Sequence, residues 1–354
     1  MRQIRNAKRT VSIPKMKAVI LKEVNQFEGL VLGDLPTPKP KSGEVLVQIN
    51  AAALNHRDIW IIQGLYPNIK VPAILGSDGA GIVSEVGEGV DKKWVGAKVI
   101  INPSLNWGDN PDAQQRDYRI LGVPVDGTHA EYAVVPESNI LRKPGYLSFE
   151  ETAAIALAGL TGYRALFRQG KLLKNETILI TGIGGGVASL VQQMALAFGV
   201  TVLVTSGGDE KLNRAKQLGA IGGANYNQED WEKEIAAIAG ESGVDLIVDG
   251  AGGPGFDKLI ELVKPAGRIV IYGATAGKPP DLNVRRVFWK QITIQGTTMG
   301  NEEDFRNMIK FFEKHQLKPI IHKTYNLENY KEAYLEMLNK KQFGKIVLKV
   351  KSEK

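Results

Sequence analysis

The sequence lacks cysteine altogether and contains little histidine. With no cysteine among 354 residues, disulfides, thiolate zinc sites and a cysteine nucleophile are excluded. Of the four histidines, His129, His315 and His322 show no spacing that suggests a metal site. No stretch is apolar and long enough to span a membrane, and residues 1–15 lack the apolar core of a secretory signal. We therefore expect a cytoplasmic protein with no membrane partner.

Acidic residues are missing from the first 15 positions, where five basic side chains lie. The formal net charge of the chain is +7, so the remaining 339 residues carry only +2. A basic tail of this kind is typical of solvated chain, and residues 1–15 are predicted to be a disordered extension. Because the body lacks the clustered cations that phosphate backbones require, nucleic acid is not an expected partner.

Two kinds of patterning divide the rest of the chain. Residues 16–145 consist mostly of short β-branched segments separated by glycine and proline turns, which predicts an all-β unit. The polar stretch 102–124 is the exception and is interpreted as a long irregular loop. Residues 146–301 alternate apolar strands with amphipathic helices, as in a doubly wound parallel sheet. Residues 302–354 are predicted to form two helices and a final strand, so the fold class is α/β with two domains.

A glycine-rich turn is the strongest single motif. In TILITGIGGGVASL (177–190), Gly182, Gly185 and Ala188 have the G-x-x-G-x-x-A spacing between a predicted strand and a predicted helix. The first glycine permits the tight turn, the second lets the backbone approach a pyrophosphate, and the small third residue allows close helix packing. The free N–H groups at the start of the helix favour phosphate, so the turn predicts dinucleotide binding. The predicted contacts also include Gly184, Gly186 and Val187.

The end of the following strand distinguishes the two dinucleotides. An NAD site usually places an acidic residue there to bind the ribose hydroxyls, whereas this strand ends in Thr205 and Ser206, with Lys211 further on. A hydroxyl and a cation suit a 2′-phosphate, which favours NADP(H). Asp209 and Glu210 leave NAD(H) open as the alternative, although acids in the first turn of the next helix also complement its dipole.

Several further motifs resemble those of a known family. Together with the glycine turn, they are AAALNHRDIWIIQGLYP (51–67), LGSDGAGIVSEVG (75–87), GTHAEYAVVP (127–136), AIALAGLTGYRALF (154–167) and QFGKIVL (342–348). Across residues 16–350 the chain resembles the medium-chain dehydrogenase/reductase superfamily, and most of all its zinc-independent quinone-oxidoreductase-like and alcohol-dehydrogenase-like members. The resemblance implies a GroES-like β catalytic domain, formed by residues 16–145 and 302–354, and a Rossmann cofactor domain at 146–301.

The resemblance also identifies what the sequence lacks at the metal positions. Zinc-dependent members hold the catalytic metal with two cysteines and a histidine, and the matching positions here are Asn55, Ser77 and Leu157. Leucine cannot coordinate a metal, and a neutral asparagine–serine pair is a poor zinc site. The 102–124 loop, where such members hold a structural zinc with four cysteines, has none. No bound metal is therefore expected.

Other residues receive roles by the same resemblance. Asn55 is predicted to act as an amide donor to the substrate, and Asp58 as a second catalytic residue or a buried structural partner. Tyr66 and Trp107 are aromatic walls of the substrate pocket or ordinary packing, and Ser77 is a small polar filler there. The predicted cofactor contacts are His56 at the phosphates (or as a general acid), Thr161 at the nicotinamide, Lys345 at the pyrophosphate and Tyr226 at the adenosine.

Loss of the metal changes the expected chemistry. Zinc polarises an alcohol or carbonyl oxygen, so without it the expected substrates are electrophiles that need less activation. The expected activity is NADPH-dependent reduction of an activated alkene, a quinone or a reactive carbonyl. A non-catalytic NADPH-binding regulatory protein and an alcohol dehydrogenase with an atypical site remain alternatives. The β-rich segment Ile292–Gly300 at a sheet edge further predicts a homodimer.

Overall fold

The structure is a computed structural model that describes residues 14–351. The predicted disordered extension therefore lies outside the described residues, except for its last two positions. Lys15 already belongs to the first strand, so this strand begins one residue before the predicted boundary. Within the described part of the chain, no helix is long and apolar enough to cross a membrane.

The strands of the catalytic domain form one large sheet and two small ones. They are β1 (Lys15–Leu21), β2 (Leu30–Pro36), β3 (Glu44–Ala53), β4 (Ala73–Ile74), β5 (Asp78–Val86), β6 (Lys98–Ile101), β7 (Ser104–Leu105), β8 (Arg119–Ile120), β9 (Tyr132–Pro136), β10 (Ile140–Arg142), β17 (Ile321–Asn326) and β18 (Lys345–Lys349). The large sheet runs β10-β6-β5-β3-β18-β17, with β9 also paired to β3. Because β18 lies antiparallel to β3, the C-terminal strand closes the domain that the N-terminal half begins.

The cofactor domain contains a six-stranded parallel sheet, as the alternating pattern predicts. Its strands are β11 (Thr177–Ile180), β12 (Thr201–Ser206), β13 (Gly222–Asn225), β14 (Val244–Asp249), β15 (Val263–Ile271) and β16 (Thr293–Gly296). The order β13-β12-β11-β14-β15-β16 places the first strand of the unit in the middle. This reversal of strand order beside β11 creates the crevice in which α/β sheets bind ligands.

Nine α-helices lie in the described residues. They are α1 (His56–Ile62), α2 (Phe149–Tyr163), α3 (Gly186–Phe198), α4 (Asp209–Gln217), α5 (Trp231–Ala239), α6 (Phe256–Leu262), α7 (Val284–Lys290), α8 (Glu302–His315) and α9 (Tyr330–Leu338). The glycine turn between β11 and α3 and the helices predicted around it are present.

Helix α2 connects the two domains. It begins with a capping box, in which the Ser148 hydroxyl accepts from the Glu151 N–H at 3.1 Å and the Glu151 carboxylate accepts from the Ser148 N–H at 2.8 Å. Small residues let it pack closely on α3, since a Cβ at Gly162 would lie 2.9 Å from Val191. The helix thereby places Leu157 and Thr161 between the catalytic sheet and the glycine turn.

Two details of the C-terminal region differ from the sequence prediction. Helix α8 does not join the catalytic domain, because Phe305, Met308 and Phe312 are buried in the core that surrounds β11 and α3. The chain returns to the catalytic sheet only at β17, a strand that the sequence reading missed. Its segment IHKTYN alternates weakly and is half-exposed, so it lacks the apolar pattern of the other strands.

The 102–124 segment is also more ordered than predicted. Its two ends pair as β7 and β8, with Ser104 opposite Ile120 and Leu105 opposite Arg119. Between them, the N–H of Gln115 donates to the Trp107 carbonyl at 2.8 Å. Each strand has only two residues, and such a short ladder leaves no periodic signal in sequence.

Candidate active site

The glycine turn has the backbone geometry that dinucleotide binding requires. Gly182 and Gly184 have φ angles of +63° and +115°, which side chains other than glycine disfavour. The N–H of Gly182 donates to the Thr205 hydroxyl at 3.2 Å, which ties the turn to the end of β12. Gly186, Val187 and Ala188 form the first turn of α3, so their N–H groups lie at the start of the helix.

Open space lies beside this turn. A Cβ built at Gly182 or at Gly208 would meet no atom within 4 Å, and one at Gly185 would meet only the Gly182 carbonyl oxygen at 3.8 Å. The space next to the turn and next to the N-terminal side of α4 is therefore open, as the approach of a pyrophosphate to the backbone requires. The described residues therefore fit a dinucleotide, which would supply a hydride when bound.

Basic side chains from both domains surround the turn. A Cβ at Gly184 would lie 2.8 Å from the Lys211 side chain, and one at Gly186 would lie 2.6 Å from that of Lys345. His56 lies near both lysines. Burial, together with the positive charges of the lysines, lowers the pKa of His56 to about 4. His56 is therefore neutral at neutral pH and offers one N–H to a phosphate.

Ser206 and Tyr226, the residues predicted to bind the 2′-phosphate and the adenosine, lie side by side, since the Tyr226 N–H donates to the Ser206 carbonyl at 2.9 Å. Ser206 is buried at the end of β12, and its hydroxyl accepts from the Gly208 N–H at 3.3 Å. Tyr226 is half-exposed beside Gly207. Lys211, which is predicted to bind the 2′-phosphate, donates from its ammonium to the Lys340 carbonyl at 2.8 Å, and its stem lies beside the glycine turn.

The three positions that correspond to zinc ligands do not form a metal site. Asn55 lies in a buried polar cluster with Asp78 and Lys345: its amide oxygen accepts from the lysine at 2.7 Å, and its amide nitrogen donates to the aspartate at 3.0 Å. The lysine also pairs with the aspartate at 2.8 Å. Leu157 contributes only its backbone N–H, which donates to Asp78 at 2.7 Å.

Lys345 therefore differs from its predicted role at the pyrophosphate. Its ammonium has three acceptors, the Leu54 carbonyl, Asn55 and Asp78, all within 2.8 Å, and the residue is only 2 % exposed. All three N–H donors of the ammonium are used. Only its aliphatic stem reaches the glycine turn, so Lys345 orients Asn55 instead of binding phosphate.

Ser77 is held by an arginine. Its hydroxyl accepts from Arg57 at 2.6 Å and donates to the Leu121 carbonyl at 2.7 Å. The same guanidinium donates to the carbonyls of Leu121 and Val123 and lies 5.0 Å from the centre of the Tyr66 ring. A cation thus occupies the place beside Ser77, and this donor set does not fit zinc.

Asp58 occupies a buried structural position, the second of its two predicted roles. It is fully buried, and its carboxylate accepts from the Asn55 N–H at 2.8 Å at the start of α1. Burial raises its pKa, although Arg57 and the Asn55 N–H act in the opposite direction. A carboxyl group without solvent access in this structure does not line the pocket.

Trp107 contributes to the packing of the long loop. It is 4 % exposed, lies edge-on to Tyr118 with ring centres 5.3 Å apart, and is covered by the Arg164 guanidinium at 4.8 Å. Arg164 also donates to the Pro111 and Asp112 carbonyls. Through these contacts Arg164, at the end of α2, holds Trp107 and the loop in place. Tyr66 is therefore the better candidate for a wall of the substrate pocket.

Thr161 lies on α2 beside the segment that follows β16. Its hydroxyl lies 4.0 Å from the Met299 sulfur, next to the point where the Ser104 hydroxyl donates to the Gly300 carbonyl at 2.6 Å. The segment after β16 and the long loop therefore meet at the predicted nicotinamide contact.

Sequence reasoning missed Arg57 and Asp78. Both lie within the family motifs, Arg57 in LNHRD and Asp78 in GSDGAG. The spacing of residues within these motifs does not relate Arg57 to Ser77 or Asp78 to Lys345. The signal that could have identified them is a charged residue within an otherwise apolar or small-residue segment. Charged residues are rarely fully buried unless they are paired, so such a residue indicates a buried polar interaction.

Comparison with known proteins agrees with this architecture. The model of the alcohol dehydrogenase GroES-like domain matches residues 41–145, and the model of the zinc-binding dehydrogenase domain matches residues 186–314. Among curated proteins, the chain is 36 % identical over 340 residues to the zinc-type alcohol dehydrogenase-like protein YogA of Leptosphaeria maculans, covering 91 % of this chain and 94 % of the relative.

Two further relatives carry more specific names. The chain is 31 % identical to an acryloyl-coenzyme A reductase of Sulfurisphaera tokodaii, over 94 % of this chain and 100 % of the relative. The crystal structure of an NAD-dependent alcohol dehydrogenase superimposes with a TM-score of 0.90 at 38 % identity, over 95 % and 100 % of the two chains.

Fold and site define a two-domain oxidoreductase with a dinucleotide crevice between a GroES-like and a Rossmann domain. The chain belongs to the medium-chain dehydrogenase/reductase superfamily. Among the described residues, no group of three or more histidine, aspartate or glutamate side chains is arranged to hold a metal ion.

Proposed function

We propose that this chain is an NADP(H)-dependent reductase of activated alkenes, quinones or reactive carbonyl compounds that works without zinc. One observation carries the proposal: the polar groups at the zinc-ligand positions are already bonded to cationic side chains, Asn55 to Lys345 and Ser77 to Arg57. Binding of a zinc ion at these positions would disrupt the hydrogen bonds, and the ion would be repelled by the positive charges of Lys345 and Arg57.

The chemistry follows from a substrate that accepts hydride without a Lewis acid. In a conjugated carbonyl compound, the β-carbon would accept the hydride, that is, one hydrogen nucleus and two electrons, which a bound reduced dinucleotide would supply. The alkene electron pair shifts toward the oxygen to give an enolate, and water protonates its α-carbon. The products are the saturated carbonyl compound, the oxidised dinucleotide and hydroxide.

Asn55 is the donor best prepared for the substrate oxygen. Lys345 fixes the amide oxygen and Asp78 takes one of the two amide N–H groups, which leaves the second N–H. The residue is 8 % exposed, so this side chain lies at the border between core and cleft. A fixed donor stabilises negative charge without reorientation during the reaction.

The preference for NADP(H) is supported at the end of β12. Ser206 stands there, and the next acidic side chain, Asp209, already accepts a hydrogen bond from Asn225 at 3.0 Å. A carboxylate bound in this way is less available for ribose hydroxyls. The alternative is a preference for NAD(H), the cofactor named for the NAD-dependent alcohol dehydrogenase among the similar structures.

A screen of acceptors tests the proposal directly. NADPH oxidation would be followed with 2-hexenal, 2-cyclohexenone and 1,4-naphthoquinone, in the presence of EDTA and again after addition of zinc. We expect turnover with at least one acceptor, equal rates with and without EDTA, and slower turnover with NADH. Activity that disappears with EDTA and returns with zinc would overturn the proposal. Oxidation of simple alcohols by NADP⁺ or NAD⁺, with no turnover of the three acceptors, would overturn it as well.

A further inference from the structure

Arg57 is a buried cation without a carboxylate partner. The residue is only 6 % exposed, and no acidic oxygen lies within 4.0 Å of its nitrogens among residues 14–351. The other two buried cations described above differ in this respect, because Arg164 pairs with Asp304 and Lys345 with Asp78. Burial of a charge without such a partner is unfavourable.

The guanidinium also retains unused donors. A guanidinium has five N–H groups, and Arg57 makes three hydrogen bonds, all through its terminal nitrogens, to Ser77, Leu121 and Val123. Its Nε is buried and has no hydrogen-bond partner. All three acceptors are neutral oxygens, so they orient the group without neutralising it.

The nearest acid does not compensate this charge well. Asp58 interacts with Arg57 through space, but one of its oxygens accepts from the Asn55 N–H, and burial raises its pKa. No ion pair within 4.0 Å joins the two side chains among the described residues, so Asp58 leaves the guanidinium without a direct carboxylate contact. Tyr66, the neighbour on the aromatic side, offers only the weaker attraction of its ring.

The position of this excess charge matches the reaction centre. Arg57 donates a hydrogen bond to Ser77 and follows Asn55 by two residues in the chain. Ser77 and Asn55 are the residues that stand at zinc-ligand positions. An excess positive charge in a water-poor site stabilises negative charge that develops nearby. The group that would compensate it is an oxygen that becomes an oxyanion.

Resting on the proposed function, we infer that Arg57 takes over the electrostatic part of the metal's role and binds the electron-accepting carbonyl oxygen of the substrate. Asn55 and Arg57 then flank this oxygen. The arginine thereby favours substrates in which the negative charge formed by hydride addition resides on an oxygen atom. Arginine remains protonated throughout, so water still supplies the proton.

A carboxylate that mimics the enolate tests Arg57 independently of turnover. Benzoate would be titrated calorimetrically into the protein saturated with NADP⁺, for the wild type, Arg57→Met, Arg57→Lys and Arg306→Met. Arg306 lies exposed on α8 and pairs with Glu302, so its removal matches the change in net charge. We expect Arg57→Met to weaken benzoate at least tenfold, Arg57→Lys to weaken it less, and Arg306→Met to leave it unchanged.

Turnover supplies the second measurement. Arg57→Met should lower kcat for 2-cyclohexenone by about 10²–10³-fold, with the dissociation constant of NADPH within twofold of wild type. Unaltered benzoate binding in a folded Arg57→Met protein, or no benzoate binding by the wild type, would overturn the inference. If Arg57→Met does not fold, the comparison of Arg57→Lys with wild type decides, and equal benzoate affinity would contradict the inference.

The two proposals fail in different ways. A wild-type protein that reduces no acceptor but binds benzoate through Arg57 would contradict the proposed reaction and retain an anion site. A wild-type protein that reduces enones without zinc, combined with full activity of Arg57→Met, would contradict only the role of Arg57.

Discussion

At the scale of single residues, the amide of Asn55 is oriented before any substrate arrives. Lys345 and Asp78 contact its oxygen and its nitrogen respectively, and neither contact can be kept if the amide turns over. The lysine–aspartate pair is itself buried, which makes it rigid and costly to disturb. The remaining amide N–H is therefore a fixed donor.

Replacing Asn55 by alanine tests this donor. Asn55→Ala should lower kcat/KM for an enal or quinone by about 10²–10³-fold, the usual effect of losing one donor to a developing oxyanion. The dissociation constant of NADPH, followed by fluorescence, should change little. Asn329→Ala serves as the control because Asn329 is exposed before α9 and its side chain makes no capping hydrogen bond. An equal loss of NADPH affinity would place Asn55 at the cofactor instead.

His129 should make the stability of the protein depend on pH. The residue is fully buried, its Nδ1 lies 2.7 Å from the Tyr334 hydroxyl, and burial lowers its pKa to about 4. Because the unfolded state, with a pKa near 6.5, binds the proton more tightly, stability is lost as pH falls from about 6.5 toward 4.

The expected effect is measurable by denaturant unfolding at pH 7 and pH 5. The pKa difference of His129 corresponds to a loss of about 2 kcal/mol between these two values. His129→Gln, which cannot titrate, should lose correspondingly less, whatever its stability at pH 7. The same decrease in wild type and variant would show that His129 is not responsible.

At the scale of elements, the segment between α9 and β18 packs on the glycine turn. The N–H of Gly344 donates to the Gly184 carbonyl at 2.9 Å, and the Lys211 ammonium of α4 donates to the Lys340 carbonyl. The catalytic domain thus covers part of the cofactor crevice with its own C-terminal segment. Cofactor affinity therefore depends on contacts between the domains as well as on the Rossmann unit.

Lys211 tests which phosphate this arrangement serves. Lys211→Ala should weaken NADPH by about 1.5–3 kcal/mol, the range for a charged hydrogen bond, and weaken NADH much less. Lys216→Ala is a suitable control, because Lys216 lies exposed on the same helix. Equal losses for the two dinucleotides would assign Lys211 to the pyrophosphate, beside which the structure places its stem.

At the scale of the whole molecule, the cofactor sheet has an open edge. Strand β16 is the last strand of the sheet, and the preceding helix α7 exposes Phe288 and Trp289 by 67 % and 82 %. Unpaired edges and large apolar side chains favour association. Two-fold pairing through β16 would satisfy both features in a closed dimer.

Sedimentation at micromolar concentration tests the dimer. The wild type should sediment as a dimer, and Trp289→Lys should shift the equilibrium toward monomer, because a charge would enter the shared apolar surface. Leu173→Lys is the control, since Leu173 is also exposed, by 63 %, elsewhere in the cofactor domain. A wild-type monomer, or a variant that dimerises as tightly as wild type, would contradict this assignment.

The sequence by itself determined the local features. The glycine turn, the helix that follows it and the alternation of strands with helices depend on residues a few positions apart, and spacing records such relations directly. The parallel sheet and the two-domain fold follow from them. The absence of cysteine likewise excluded a thiolate metal site without any structure.

Only the tertiary structure decided the charge arrangement of the cleft. Asn55 and Lys345 are 290 positions apart, and Asp78 and Lys345 are 267 apart, so no local pattern connects them. Lys345 reaches Asn55 because β18 pairs with β3, and Arg57 reaches Ser77 because α1 and the start of β5 lie side by side. Buried charges depend on partners that the chain brings together only when it folds.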